Sequence, residues 1–202
     1  VLVIDQTRGD ASIEKGAANA QTFQQMLAAA RAEHPTAHIV IKTHPETQLG
    51  YRAGHFSAEA LDDDMELLTH AIAPQDLFAA AHAVYTVTSQ MGFEAILAGH
   101  RPVVFGQPFY AGWGLTRDVH PIHRRGRSLT AAQLFAGAVM LYPKWYDPCR
   151  DTLCSLEHVL DQLEAETRAW RDDHAGWEAR GISLWKRHPL QKFFGRHRPE
   201  RF

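Results

Sequence analysis

Short runs rich in β-branched residues recur along this chain, separated by segments whose apolar residues repeat at helical spacing. No other feature narrows the fold as much. Val1–Ile4, His38–Lys42, Ala83–Val87 and Pro102–Phe105 read as strands, and Leu67–Ile72 as another. Between the first two, Phe23, Met26, Leu27 and Ala30 give Ala20–His34 one apolar helical face, and Pro35 stops it. Gln75–His82 follows Pro74 as a short helix, and Phe93, Ile96 and Leu97 mark a helix over Met91–Gly99. Near-continuous apolar strands joined by amphipathic helices predict a parallel sheet covered on both faces. Right-handed crossovers make that an α/β, doubly wound, Rossmann-like domain whose ligands sit at the carboxyl ends of the strands.

The 202 residues are 45% hydrophobic and 22% charged, with a formal charge of −2, which excludes a disordered or collagenous chain. This length suits one domain plus an appendage. We expect a Rossmann-like domain over residues 1–150, a C-terminal helix packing on it over 151–181, and a basic aromatic tail or linker over 182–202. Gly106–Thr116 reads as a long loop, and Thr130–Tyr142 and Leu153–His174 as helices. The uncharged runs Pro102–Thr116 and Ser128–Pro143 fall short of the roughly 20 apolar residues of a membrane helix. Two cysteines make no disulfide framework and fit a reducing cytosol. His120-x-x-His123 lacks further ligands at suitable spacing, so no metal is expected. The opening Val1-Leu2-Val3-Ile4 reads as the middle of a longer protein.

Charge is uneven. The tail Ile182–Phe202 carries six Lys or Arg against Glu200, with Trp185, Phe193 and Phe194 interleaved. That suits an anionic membrane surface or a neighbouring domain, and equally a plain linker. It carries no aromatic RNA-binding signature, so nucleic acid is not an expected partner.

Three strand ends carry groups with chemistry. The first strand runs into Asp5-Gln6-Thr7-Arg8-Gly9-Asp10-Ala11-Ser12, where Asp5 and Asp10 are candidate acids, or helix caps. After the second strand, extended geometry puts Lys42 and His44 on one side, and Pro45 fixes the direction of the imidazole, suiting phosphate binding or protonation of a leaving group. A surface pair is the plainer alternative. Thr88-Ser89-Gln90-Met91-Gly92-Phe93-Glu94 passes straight from strand to helix: Ser89 as an N-cap, with free N–H groups and Gly92, makes an anion site. Glu94, one turn in, can accept two bonds from a ribose diol. Asp62-Asp63-Asp64 reads as a solvated charge run.

Taken together, segments 3–13, Ile41-Lys42-Thr43-His44-Pro45-Glu46, segment 84–95 and Pro108-Phe109-Tyr110-Ala111-Gly112-Trp113-Gly114-Leu115-Thr116-Arg117-Asp118 resemble the capsular polysaccharide biosynthesis β-Kdo transferases. The resemblance covers about residues 1–150. It implies a glycosyltransferase of GT-B architecture, two Rossmann-like halves across a cleft, with this chain as the half that binds CMP-Kdo. The acceptor would be a lipid-linked Kdo, and the missing partners the N-terminal half and a second transferase module. No cofactor is implied beyond CMP-Kdo as donor substrate. The place of work would be cytoplasmic, with peripheral contact at the inner face of the inner membrane.

By the same resemblance, His44, Ser89 and Glu94, with Lys42, Gln90 and Gly92 around them, hold the nucleotide. A retaining reaction through a covalent carboxylate adduct places the nucleophile at Asp10, with Asp5 second, and gives His44 the departing phosphate. Arg124, Arg125 or Arg127 would meet the Kdo carboxylate, and Tyr110 and Trp113 would wall the sugar pocket. A catalytically silent nucleotide-binding or assembly module is the competing expectation.

Overall fold

The computed structural model describes residues 1–58, 61–62 and 64–178, with side chains through Arg171; the expected basic tail lies outside them. It divides into two compact units, Val1–Ala136 and Gly137 onward. The first holds a six-stranded sheet of β1 (Leu2–Ile4), β2 (Ile39–Lys42), β3 (Met65–Leu68), β4 (Val84–Thr86), β5 (Val103–Val104) and β6 (Arg117–Asp118). All five pairings are parallel, in the order β3-β2-β1-β4-β5-β6. The chain builds outward from β1 on one side, then crosses to β4 and builds outward on the other. This is the doubly wound arrangement, with its switch point between β1 and β4.

Alternation along the strands divides the core. Val3, Ile39, Ile41 and Tyr85 lie in a cluster with Phe23, Met26 and Ala30 of α2 (Ala20–Glu33), after α1 (Ala11–Lys15). Leu2, Ile4 and Val84 pack on the other face, with Phe78 of α4 (Pro74–Ala80) and Ala95 of α5 (Met91–Leu97). α3 is the short turn Pro45–Gln48. Helix α2 starts at a capping box, Asn19 accepting from the Gln21 and Thr22 N–H groups while its own N–H donates to the Thr22 hydroxyl. It ends at His34, before Pro35.

Several boundaries differ from expectation. β3 ends at Leu68 instead of running to Ile72, because Thr43 donates both its N–H and its hydroxyl to the Leu68 carbonyl and Ile39 is registered on Met65. The loop expected over Gly106–Thr116 runs straight into β6, two charged residues beside β5. The Asp118 carboxylate then takes the Gly112 N–H at 2.9 Å and the Thr116 hydroxyl at 2.7 Å, folding the glycine-rich segment back. α6 (Ala131–Phe135), capped by Thr130 and Gln133, gives way to a π-helical turn over Ala136–Leu141.

The second unit contains an antiparallel hairpin, β7 (Trp145–Asp147) with β8 (Thr152–Cys154), ahead of α7 (Leu156–Glu178). Residues expected to open a helix at Leu153 therefore lie in a strand. Asp147 fixes the turn by accepting the Cys149 and Arg150 N–H groups and His158 Nε2; a side-chain hydrogen bond with Gln162 first, and then these bonds, hold its carboxyl well below the ordinary carboxylate range against burial.

At the amino ends of the first unit's strands, the buried Tyr85 hydroxyl donates to Glu33 at 2.8 Å, and Arg117 pairs with Glu33. His34 Nε2 lies 3.1 Å from the Tyr85 oxygen, and His82 Nε2 3.3 Å from His34 Nδ1. Because the Tyr85 proton goes to Glu33, His34 donates through Nε2, and in the neutral ring Nδ1 is left to accept from His82. Burial, then the His82 charge, hold its pKa below the ordinary 6.5, although Glu33 pulls the other way. The unfolded chain therefore takes up this proton more readily. The stabilisation is present above the free-histidine value and is lost as pH falls through the folded one. His34→Gln should thus cost more stability at pH 7.5 than at pH 5, read from urea midpoints; an equal loss at both contradicts the assignment.

Candidate active site

The switch point is closed by hydrogen bonds between the loops that leave β1 and β4. Gln6 accepts the Thr88 N–H at 2.9 Å, and its Nε2 lies 3.0 Å from the Thr88 hydroxyl, which in turn is 3.2 Å from Ser12 Oγ. Gly16 and Gly106 press on Thr88 from both sides: a Cβ on either would come within 2.4 Å and 2.6 Å of its methyl group. Backbone thus approaches backbone here, between two strand ends.

Both predicted acids stand on this rim, in different roles. Asp5 is 2% exposed, and its oxygens take the N–H groups of Gln6 at 2.8 Å, His55 at 3.1 Å and Phe56 at 3.4 Å. Burial raises its pKa against the pull of those amides and of Arg8. It is an anchor for the 54–56 segment with no face toward a substrate, which removes it as a second nucleophile. Asp10 is half-buried and caps α1, accepting the Ser12 N–H at 2.8 Å on one oxygen and Gln6 Nε2 at 3.3 Å on the other. Burial works to raise its pKa, but the bonds from Ser12 and Gln6 and the charge of Arg52 outweigh it and leave it lowered.

Lys42 and His44 end β2 as expected, but they do not project together. Lys42 is 6% exposed and its Nζ turns to the Thr43 carbonyl at 2.7 Å; among the described residues no carboxylate pairs with it, and burial lowers its pKa. His44 is half-buried and is itself the N-cap of α3, its Nδ1 accepting the Glu46 N–H at 3.1 Å. With Nδ1 an acceptor, the proton sits on Nε2, which has no partner among the described residues and is available as a donor. Burial is the first cause of its lowered pKa; Glu46 and Asp10 oppose it and Lys42 and Arg52 add to it. Asp10 and His44 therefore lie within each other's field, and Arg52 within that of both. Arg52 is held by the Arg8 carbonyl at 2.8 Å and by Glu46.

At β4, the turn into α5 carries Ser89, Gln90, Gly92 and Glu94. The formal cap position is Gln90, and Ser89 Oγ, one residue earlier, accepts the Met91 N–H at 3.3 Å. Gly92 is needed for packing: a Cβ there would come 2.3 Å from the Tyr110 hydroxyl. Glu94 is half-buried without a described partner, and burial raises its pKa. Tyr110 is fully buried and donates to the Ser89 carbonyl at 2.6 Å, so it supports this turn from beneath and does not wall a pocket.

Arg125 also departs from expectation: its guanidinium donates to the Pro108 and Ala111 carbonyls, each at 2.6 Å, and lies 5.4 Å from the Trp113 ring centroid, clamping the glycine-rich loop. Trp113 donates to the Phe109 carbonyl at 2.8 Å. Arg124 is exposed. Gln6, Ser12, Thr88 and Arg52 went unnoticed in the sequence. Gln6, between two carboxylates at a strand end, carried the one available signal.

The pattern of a family described as capsule polysaccharide biosynthesis protein matches residues 1–143. The chain is 41% identical to the capsule polysaccharide modification protein LipA of Neisseria meningitidis serogroup B over 96% of its own length but 28% of that protein. It is 34% identical to the lipopolysaccharide-processing protein LpsZ of Rhizobium meliloti over 82% of its length and 38% of that protein. Its fold is similar to that of the Thermosulfurimonas dismutans KpsC β-Kdo 2,4 transferase, with a TM-score of 0.76 and 41% identity over 80% of this chain and 50% of that one. For the β-Kdo 2,7 transferase of the same organism the TM-score is 0.61 at 30% identity, over 80% and 51%. The chain thus spans under a third of the LipA length and half of each transferase structure. With the doubly wound sheet and most of its residues matched, the chain belongs to the capsule polysaccharide biosynthesis protein family.

Proposed function

We propose that this chain is the donor-binding half of a retaining β-Kdo glycosyltransferase that takes CMP-Kdo and extends a lipid-linked Kdo acceptor in capsule assembly. What supports this reading is that Asp10 and His44, off the ends of β1 and β2, lie within each other's electrostatic field, in a chain similar to a β-Kdo transferase. The Ser89–Gly92 turn and Lys42 face the phosphate, and Glu94 takes the ribose diol. Arg124 and Arg127, both exposed, are the cations left for the sugar carboxylate, since Arg125 is engaged by two carbonyls. The second Rossmann-like half and a further transferase module complete the enzyme, working at the cytoplasmic face of the inner membrane. No helix among the described residues is long and apolar enough to cross a membrane.

In this mechanism Asp10 attacks the anomeric carbon as the bond to the CMP phosphate breaks, and the electron pair leaves with that phosphate, met by the Nε2–H of His44. An acceptor hydroxyl then displaces the carboxylate from the opposite face, its proton passing to a base, and two inversions give retention. Asp10 stays ionised because its pKa is lowered, and His44 stays a neutral donor because its own is lowered.

Both oxygens of Asp10 are already engaged by protein groups, which favours a second reading, a nucleotide-binding module without chemistry. Two measurements separate them. CMP at saturating concentration should raise the melting temperature of the full-length protein, at 100 times its Kd by about 2.7 kcal/mol of stability, and His44→Ala should remove the shift; no shift at millimolar CMP defeats both readings. Asp10→Asn should keep the CMP shift while losing product, and mass spectrometry of the wild type with CMP-Kdo should place a sugar on the Asp10 peptide. Full product from Asp10→Asn leaves the silent module standing.

A further inference from the structure

Gln6 is 3% exposed and makes more side-chain hydrogen bonds than any group near it, yet it touches neither sheet face nor solvent. Its partners lie on two loops 82 residues apart in sequence. The Thr88 backbone N–H can only donate, so the end of the Gln6 amide that faces it at 2.9 Å is the oxygen. That settles the other end. The NH2 group, with two protons to give, has three acceptors in reach: the Thr88 hydroxyl at 3.0 Å, and Asp10 Oδ2 and Ser12 Oγ at 3.3 Å each. Asp10 Oδ1 is meanwhile held by the Ser12 N–H at 2.8 Å. The rotation of the Asp10 carboxylate is thereby set by two donors, one of which is oriented by the residue directly before Ser89.

We propose that Gln6 is a positioning residue that couples the aim of Asp10 to the seat of the nucleotide: Thr88 orients its amide, and the amide orients the carboxylate. The inference rests on the reading of Asp10 as the group that meets the sugar. It assigns Gln6 no contact with substrate. A ligand that draws the Thr88–Ser89 turn toward its phosphate acts on Asp10 through two hydrogen bonds, so donor binding and the readiness of the acid are linked. The glycines that wedge Thr88 leave this turn little freedom to move independently of Gln6.

Gln6→Glu separates this from simple structural support. Glutamate keeps an oxygen for the Thr88 N–H but turns a second oxygen, in place of NH2, toward Asp10. In the full-length protein, kcat with CMP-Kdo should fall by roughly 100-fold while the affinity for CMP stays within about threefold. The acid limb of kcat/KM should move to higher pH, because an added carboxylate beside Asp10 disfavours its ionisation. An unmoved acid limb, or a loss of rate matched by a loss of CMP affinity, overturns the proposal.

Should Gln6→Glu fold poorly, the double variant Gln6→Glu/Asp10→Asn again sets an amide against a carboxylate, and its melting temperature should recover most of what the single change lost. No recovery overturns the contact itself. Full product from Asp10→Asn would instead defeat the reading of Asp10 as the reacting acid, independently of where the Gln6→Glu limb falls.

Discussion

A carboxylate stripped of nearly all its water sits at the end of the first strand, and the geometry of the crevice hangs on it. Among the described residues no cation is bonded to Asp5; what stabilises its charge is a set of backbone N–H groups from Gln6, His55 and Phe56. Leaving a buried carboxylate unsatisfied would cost several kcal/mol, so the chain after α3 has to return to β1 and present those amides. Gly54 makes the approach possible, since a Cβ there would come 2.3 Å from Asp5 Oδ2. The Arg8 N–H bond to the Ala53 carbonyl and the bridge between Thr7 and Gly54 extend the same seam. Asp10 lies on one side of that seam, and His44 and Arg52 on the other. Their proximity is a consequence of how Asp5 is satisfied.

Much of the fold was legible because it follows from burial. β1, β2, β4 and β5 are buried and apolar save for Lys42 and Thr86 at their carboxyl ends, and α2 must show a stripe to Val3 and Ile41. β6 left no such trace: Arg117 and Asp118 contribute backbone pairing to the sheet, while their side chains serve Glu33 and the glycine-rich loop. The hairpin ahead of α7 is fixed by one polar residue, Asp147, which no periodicity reveals.

The site was legible as a set of loops and much less as a set of roles. Strand ends in a doubly wound sheet converge by topology, so Asp10, His44 and Ser89 could be placed on one rim from sequence. Which polar group faces a substrate depends on what the protein itself consumes. Tyr110 and Arg125 have the chemistry of ligand-binding residues, but the Ser89, Pro108 and Ala111 carbonyls use it. Asp5 is the same case among the acids. Hydrogen bonds between residues tens of positions apart decide these assignments, and residue type carries no record of them.

What remains unconsumed is informative in its own right. Lys42, the last residue of β2, and Glu94, in the first turn of α5, are buried and half-buried, neither has an oppositely charged partner among the described residues, and burial pushes each toward its neutral form, the lysine down and the glutamate up. A stable fold gains nothing from two such groups, and apolar residues there would cost less. The arrangement becomes favourable when a ligand brings a negative charge to the lysine and hydroxyl donors to the glutamate, restoring the charged form of each. A phosphate joined to a ribose supplies both at once. Under the proposed function, part of the nucleotide's binding energy is thus the relief of desolvation already present in the empty site, and a neutral or phosphate-free sugar would forgo it.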